Sequence, residues 1–84
     1  MKFQVAVDIM PLDELLDPQG KVVNRGLHNL GLNGIDNVRI GKHMNFSIES
    51  NSRDEAEKQV EDACKKLLAN LIMEKYSFEL TEIG

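Results

Sequence analysis

Tryptophan is absent from this 84-residue chain, cysteine occurs once, proline twice, and the only aromatics are three phenylalanines and one tyrosine. A single cysteine excludes an internal disulfide and leaves a thiolate metal site without its ligand set. No apolar run is long enough to cross a bilayer and no apolar leader-like segment opens the chain, so a soluble, cytoplasmic protein is expected, with no membrane partner. Positive charge is also scarce. Ten Lys and Arg against fourteen Asp and Glu leave a net charge of −4, which together with the lack of aromatic platforms argues against nucleic-acid binding. Repeats, low-complexity tracts and linkers are missing, and residues 1–84 read as one domain. So short a chain buries only a little over ~60% of its unfolded surface, so a partner is a natural source of further stability.

What is present is well patterned. Phe3, Val5, Val7 and Ile9 alternate with Gln4, Ala6 and Asp8, the pattern of a half-buried strand closed by Pro11. Asp17-Pro18-Gln19-Gly20 is a helix start. The Asp17 carboxylate accepts from a free first-turn N–H, and Pro18 fixes φ where its missing N–H costs nothing. The predicted helix runs from about Pro18 to Leu30, with Val23, Leu27 and Leu30 facing the core and Val22 at its margin. Gly26 shares that face, and close approach of another backbone would compensate its helix-weakening effect. Gly31 fits the left-handed position after the helix.

From Val38 to Ile48 the even positions Val38, Ile40, Met44, Phe46 and Ile48 are apolar, and Lys42 alone breaks the phase. Parity alone allows one strand of ~36 Å or a hairpin looping through Gly41-Lys42-His43. A compact chain of this length has a radius of gyration near ~12 Å, so a straight strand would overhang its protomer. A strand bent at Gly41, its second half available to another subunit, satisfies both constraints. Ser52-Arg53-Asp54-Glu55 is a capping box opening a second helix. Ala56, Val60, Ala63, Leu67 and Leu71 form its predicted buried stripe, Glu61–Lys65 and Asp62–Lys66 pair one turn apart, and Asn70 can end it in the left-handed region. Tyr76, Phe78 and Leu80 alternate in a closing strand. The order implies an α+β, two-layer domain: an antiparallel sheet with two helices on one face, close to a ferredoxin-like split βαβ.

Candidate chemistry is sparse. Gly41-Lys42 lacks the upstream glycine and following Ser or Thr of a phosphate loop. His28 and His43 sit on different elements, Cys64 lies mid-helix among acids, and the carboxylates Glu55, Glu57, Glu61 and Asp62 fall on a solvated face, so no catalytic, cofactor or metal residues are assigned. Arg39 and Lys42 flank the bend without matching acids at adjacent positions. Contact with an acidic surface outside the protomer and simple solvation are the two readings. With His43, Met44, Phe46 and Ile48 they form the candidate partner interface; Asp17, Pro18, Gly20 and Gly41 are the structural motif.

The helix start D-P-x-G-x-V-V, the Leu30-Gly31 helix end, Val38-Arg39-Ile40-Gly41-Lys42 and the acidic helix ending Leu67-Leu68-Ala69-Asn70 resemble, in order and spacing, the PurS family. That family is the small subunit of phosphoribosylformylglycinamidine synthase in purine biosynthesis. The resemblance implies a non-catalytic, dimeric or doubly dimeric (tetrameric) assembly subunit that bridges a synthetase subunit, which holds ATP and magnesium, and a glutaminase subunit. The assembled enzyme turns formylglycinamide ribonucleotide, glutamine and ATP into formylglycinamidine ribonucleotide. Pro11-Leu12 replaces the cation usual in the family at the end of the first strand, and Leu71 stands where proline is frequent. The competing class is a free-standing ACT-type domain that senses a small molecule between two protomers.

Overall fold

A computed structural model describes residues 1–83. Strand β1 spans Lys2–Pro11, helix α1 Pro18–Asn29, strand β2 Lys42–Glu49, helix α2 Arg53–Ala63 and strand β3 Glu74–Glu82. The sheet is three-stranded in the order β2-β1-β3, antiparallel throughout. The α+β class expected from the sequence is the class observed.

Alternation decides the two sheet faces. Phe3, Val5, Val7 and Ile9 of central β1 are fully buried, flanked across the ladders by Met44, Phe46 and Ile48 on β2 and by Tyr76, Phe78 and Leu80 on β3. The opposite face carries Gln4, Ala6, Asp8, His43, Asn45, Ser47, Ser77, Glu79 and Thr81, and it is predominantly polar.

Helix α2 covers the apolar face with Ala56, Val60 and Cys64. Ser52 caps it, its hydroxyl accepting from the Glu55 N–H at 3.1 Å, and the expected Lys65–Glu61 and Lys66–Asp62 pairs stand at 3.6 and 3.1 Å. Its position over the β1–β3 half is fixed by three contacts. The Arg53 guanidinium donates to the Leu80 carbonyl at 2.7 Å and lies 5.8 Å from the Phe3 ring centre, and the Tyr76 hydroxyl donates to Glu61 at 2.6 Å.

Three expectations are corrected. First, α2 does not continue regularly to Asn70. Its end widens into a π-helical turn over Cys64–Leu68, where the Ala69 N–H reaches back to the Cys64 carbonyl at 3.0 Å. The buried row steps by four residues from Ala56 to Val60, Cys64 and Leu68, which carries Leu67 and Leu71 out to solvent. Asn70 is not left-handed; among the described non-glycine residues only Asn37 has positive φ. Asn70 instead accepts from the N–H groups of Met73 and Glu74 on its carbonyl and of Ile72 on its side chain, closing a tight turn into β3.

Second, the strand does not begin at Val38. Residues 38–41 lie outside the ladder and β2 starts at Lys42, so neither the long strand nor the hairpin forms.

Third, α1 contributes no residue to the core cluster. Its stripe is largely open: Leu30 is 76%, Val22 67% and Val23 41% exposed. The molecule is accordingly long and thin, 51 × 27 × 14 Å with a radius of gyration of 16.5 Å, against ~12 Å for a compact chain of this length.

Candidate partner interface

The motif residues converge on one junction that aims α1. Asp17 accepts from the Gly20 N–H at 3.1 Å as the N-cap and, on its second oxygen, from the Ile40 N–H at 2.8 Å. The Ile40 and Gly20 bonds are what hold its carboxyl below the usual carboxylate range, the Ile40 bond contributing most. Pro18 opens the helix beside it. Gly20 is buried, and a Cβ there would collide with the Val38 carbonyl oxygen; one at Gly41 would collide with the Ile9 carbonyl and the Met10 sulfur. Both glycines permit backbone to lie against backbone. The Ile40 N–H is thus consumed by Asp17, which is the physical reason the ladder starts only after Gly41.

Arg39 completes the junction. Its guanidinium donates to the Leu12 carbonyl at 2.6 Å and the Leu15 carbonyl at 3.0 Å, so it pins the 12–17 loop from within the protomer. It lies on no strand face. Lys42 has an acid of its own, the Glu74 carboxylate at 3.5 Å, whose pKa is lowered chiefly by the Asn70 backbone bond and then by Lys42. Acids are absent at the positions adjacent to the two cations in sequence, yet each has a partner within the protomer. Their neighbours come from distant parts of the chain, out of reach of a local reading.

His43 points to the polar face, its Nδ1 at 2.6 Å from Asp8 and its Nε2 at 3.0 Å from Asn45. With an oxygen opposite each ring nitrogen its pKa is raised, mainly by Asp8. Met44, Phe46 and Ile48 lie on the opposite, apolar face, half-buried along the outer strand. The six candidate interface residues thus separate into a loop clamp, an edge ion pair, a polar-face histidine and an apolar row.

Sequence reasoning missed the rest of the exposed apolar surface. Pro18, Gln19, Val22, Val23 and Ile40 line an apolar groove, which a second one lined by Leu15, Leu16, Asn70 and Met73 adjoins through Pro18, Gln19 and Ile40. Leu67 and Ile72 are 82% and 84% exposed. The signal was present in the apolar loop residues Leu15 and Leu16, more than a solvated loop needs.

Among the described residues no three His, Cys, Asp or Glu side chains are grouped to hold a metal, and no helix is long and apolar enough to cross a membrane. Cys64 is buried, and burial, reinforced by Glu61, raises its thiol pKa away from the reactive range.

Fold and surface together define a small α+β chain built around a half-covered antiparallel sheet. A family model described as phosphoribosylformylglycinamidine (FGAM) synthase, PurS, matches residues 4–82, and the chain belongs to the PurS family. The phosphoribosylformylglycinamidine synthase subunit PurS of Bacillus subtilis is 40% identical over 81 residues, 96% of this chain and 95% of that one. The crystal structure of Methanocaldococcus jannaschii PurS, described as one of the subunits of formylglycinamide ribonucleotide amidotransferase, superposes with a TM-score of 0.85 at 29% identity, covering 98% of this chain and 99% of that one. A chain of the PurLQS structure from Thermotoga maritima gives a TM-score of 0.89 at 26% identity, covering 96% and 99%.

Proposed function

We propose that this chain is a non-catalytic assembly subunit of phosphoribosylformylglycinamidine synthase. It pairs with itself and bridges the synthetase and glutaminase subunits of an enzyme that makes formylglycinamidine ribonucleotide from formylglycinamide ribonucleotide, glutamine and ATP. The observation that carries this reading is the near end-to-end superposition on a chain of the PurLQS assembly. ATP and magnesium belong to the synthetase partner, and the setting is the cytoplasm. The surface agrees with an assembly role: the chain presents apolar side chains from α1, the 67–73 turn and the β2 row, while the polar groups of buried Asp17 and half-buried Arg39 are spent on its own backbone.

Reconstitution tests it. Glutamine-dependent synthesis by the two larger subunits should require this chain, and the chain alone should release no ammonia from glutamine. Full activity without it, or ammonia release by the pure chain, would refute the reading. An ACT-type sensor would instead gain thermal stability from a small amino acid with no other subunit present.

A further inference from the structure

We propose that Asn33-Gly34, just beyond the end of α1, is a self-modifying site. The Gly34 main-chain nitrogen attacks the Asn33 carboxamide, and the residue ends as aspartate or isoaspartate. The proposal is independent of the assembly role. Sequence, exposure and hydrogen bonding each lead to it.

The chain holds seven asparagines, at positions 24, 29, 33, 37, 45, 51 and 70, and only Asn33 is followed by glycine. Ring closure brings the next residue's nitrogen onto the side-chain carbonyl carbon. A Cβ on that next residue crowds the approach, and glycine has none. Asn24 and Asn29 lie in α1 and Asn45 in β2, where helix and ladder fix the backbone. Asn37 precedes β-branched Val38. Asn70 precedes Leu71, and its side chain already accepts from the Ile72 N–H at 3.1 Å. Asn51, exposed before Ser52, is the nearest rival, but serine carries a Cβ.

Residues 31–37 are exposed throughout. Asn33 and Gly34 are the central pair of a turn closed by the Ile35 N–H on the Leu32 carbonyl at 3.3 Å, a long bond. Among the described residues, none accepts from the Gly34 N–H and none holds the Asn33 carboxamide. A Cβ at Gly34 would meet nothing within 4 Å, so the space around the attacking nitrogen is open. Nucleophile and electrophile are both free to turn toward each other, in a residue type that is intrinsically thermolabile.

The chemistry balances without an oxidant or reductant. Hydroxide takes the Gly34 amide proton, the nitrogen bonds to Asn33 Cγ, and the Cγ–Nδ2 bond breaks to release ammonia. Water then opens the five-membered imide. Attack at Cγ gives aspartate, and attack at the main-chain carbonyl gives isoaspartate. Either product adds a negative charge close to Asp36, on a chain already at −4. Isoaspartate also inserts a methylene into the main chain between Leu32 and Ile35. That spacing sets the turn bond and the 2.6 Å contact of His28 Nε2 with the Ile35 carbonyl. The isoaspartyl form therefore loses the tie between the end of α1 and the segment leading to Val38.

The test ages the full-length chain in warm, mildly alkaline buffer made with oxygen-18 water, then maps it by trypsin digestion and tandem mass spectrometry. Asn33, in the 26–39 peptide, should convert ahead of every other asparagine and take up one heavy oxygen, with isoaspartate the larger product. Gly34→Ala should slow the conversion several-fold with circular dichroism unchanged, since its Cβ has room and Gly34 is not in the left-handed region. Asn33→Gln should abolish the isoaspartyl signal from that peptide. No change at Asn33, conversion led by Asn51 or another asparagine, or aspartate without isoaspartate would each overturn the proposal. So would Gly34→Ala ageing at the wild-type rate, or an isoaspartyl signal that survives Asn33→Gln.

Discussion

At the residue scale, Asp17 does more than cap a helix. One oxygen serves the first turn of α1 and the other fastens residue 40, so a single carboxylate sets the direction of the helix against the segment that enters β2. Because the folded pKa lies below the ordinary 3.8, this group stabilises the fold above that value, and its contribution disappears as pH falls through the depressed pKa. Thermal melts of wild type and Asp17→Asn from neutral to acidic pH should therefore be far apart at neutral pH and converge in acid. Parallel curves would show that the charge is idle. His43 runs the other way. Its folded pKa is raised above 6.5, so its bond to Asp8 stabilises the fold fully below 6.5 and is lost as pH rises through the folded value. His43→Gln should cost melting temperature in mildly acidic buffer and nothing well above neutrality. The group is half-exposed, so the difference is small, but its sign is fixed.

Elements differ in how fully the sequence specified them, and the difference is one of range. Caps are local: Asp17 with Gly20 and Ser52 with Glu55 are read a few residues apart and form as written. Strand alternation is equally local, which is why β1 and β3 were legible. The start of β2 was not, since parity continues back through Ile40 and Val38 while the hydrogen bond that removes Ile40 from the ladder comes from Asp17. The amphipathic pattern of α1 predicts a buried face, and within this chain that face is largely open. Nor does any residue announce the π turn, which widens a helix whose apolar rhythm reads on unbroken. Two predictions belong here. Ser52→Ala should cost about 1 kcal/mol by denaturant unfolding, the usual worth of an N-cap, and no loss would mean that α2 is held by packing alone. Arg39→Ala and Lys42→Ala should separate. The first strands the Leu12 and Leu15 carbonyls and loosens the 12–17 loop, so it lowers stability by roughly 1–3 kcal/mol. The second removes one exposed ion pair and should change stability by less than about 0.5 kcal/mol. Equal effects would show that Arg39 is as solvated as Lys42.

At the scale of the whole molecule, the apolar surface is only partly covered. A 51 Å long, 14 Å thin chain with one helix over its sheet and another clear of it has too small a core to be comfortable alone, and its shortfall is concentrated on the β2 row. Phe46 is the largest side chain of that row, opposite fully buried Val5. Aspartate in its place puts a charge where the apolar face must be covered, so Phe46→Asp should give a monomer that melts well below wild type, or an unfolded chain. Aspartate at Ser47, the next residue on the polar face, should leave both assembly and melting nearly unchanged. The paired comparison matters because either substitution alone could be blamed on strand propensity, and only the face differs between them. Linkage adds a quantitative check that needs no mutation. If folding and pairing are coupled, the wild-type melting temperature must rise with protein concentration, while that of a monomeric Phe46→Asp variant must not. A concentration-independent wild-type melt, with sedimentation reporting a monomer, would place the stability of this chain within the single copy and leave its exposed apolar surface to the larger subunits alone.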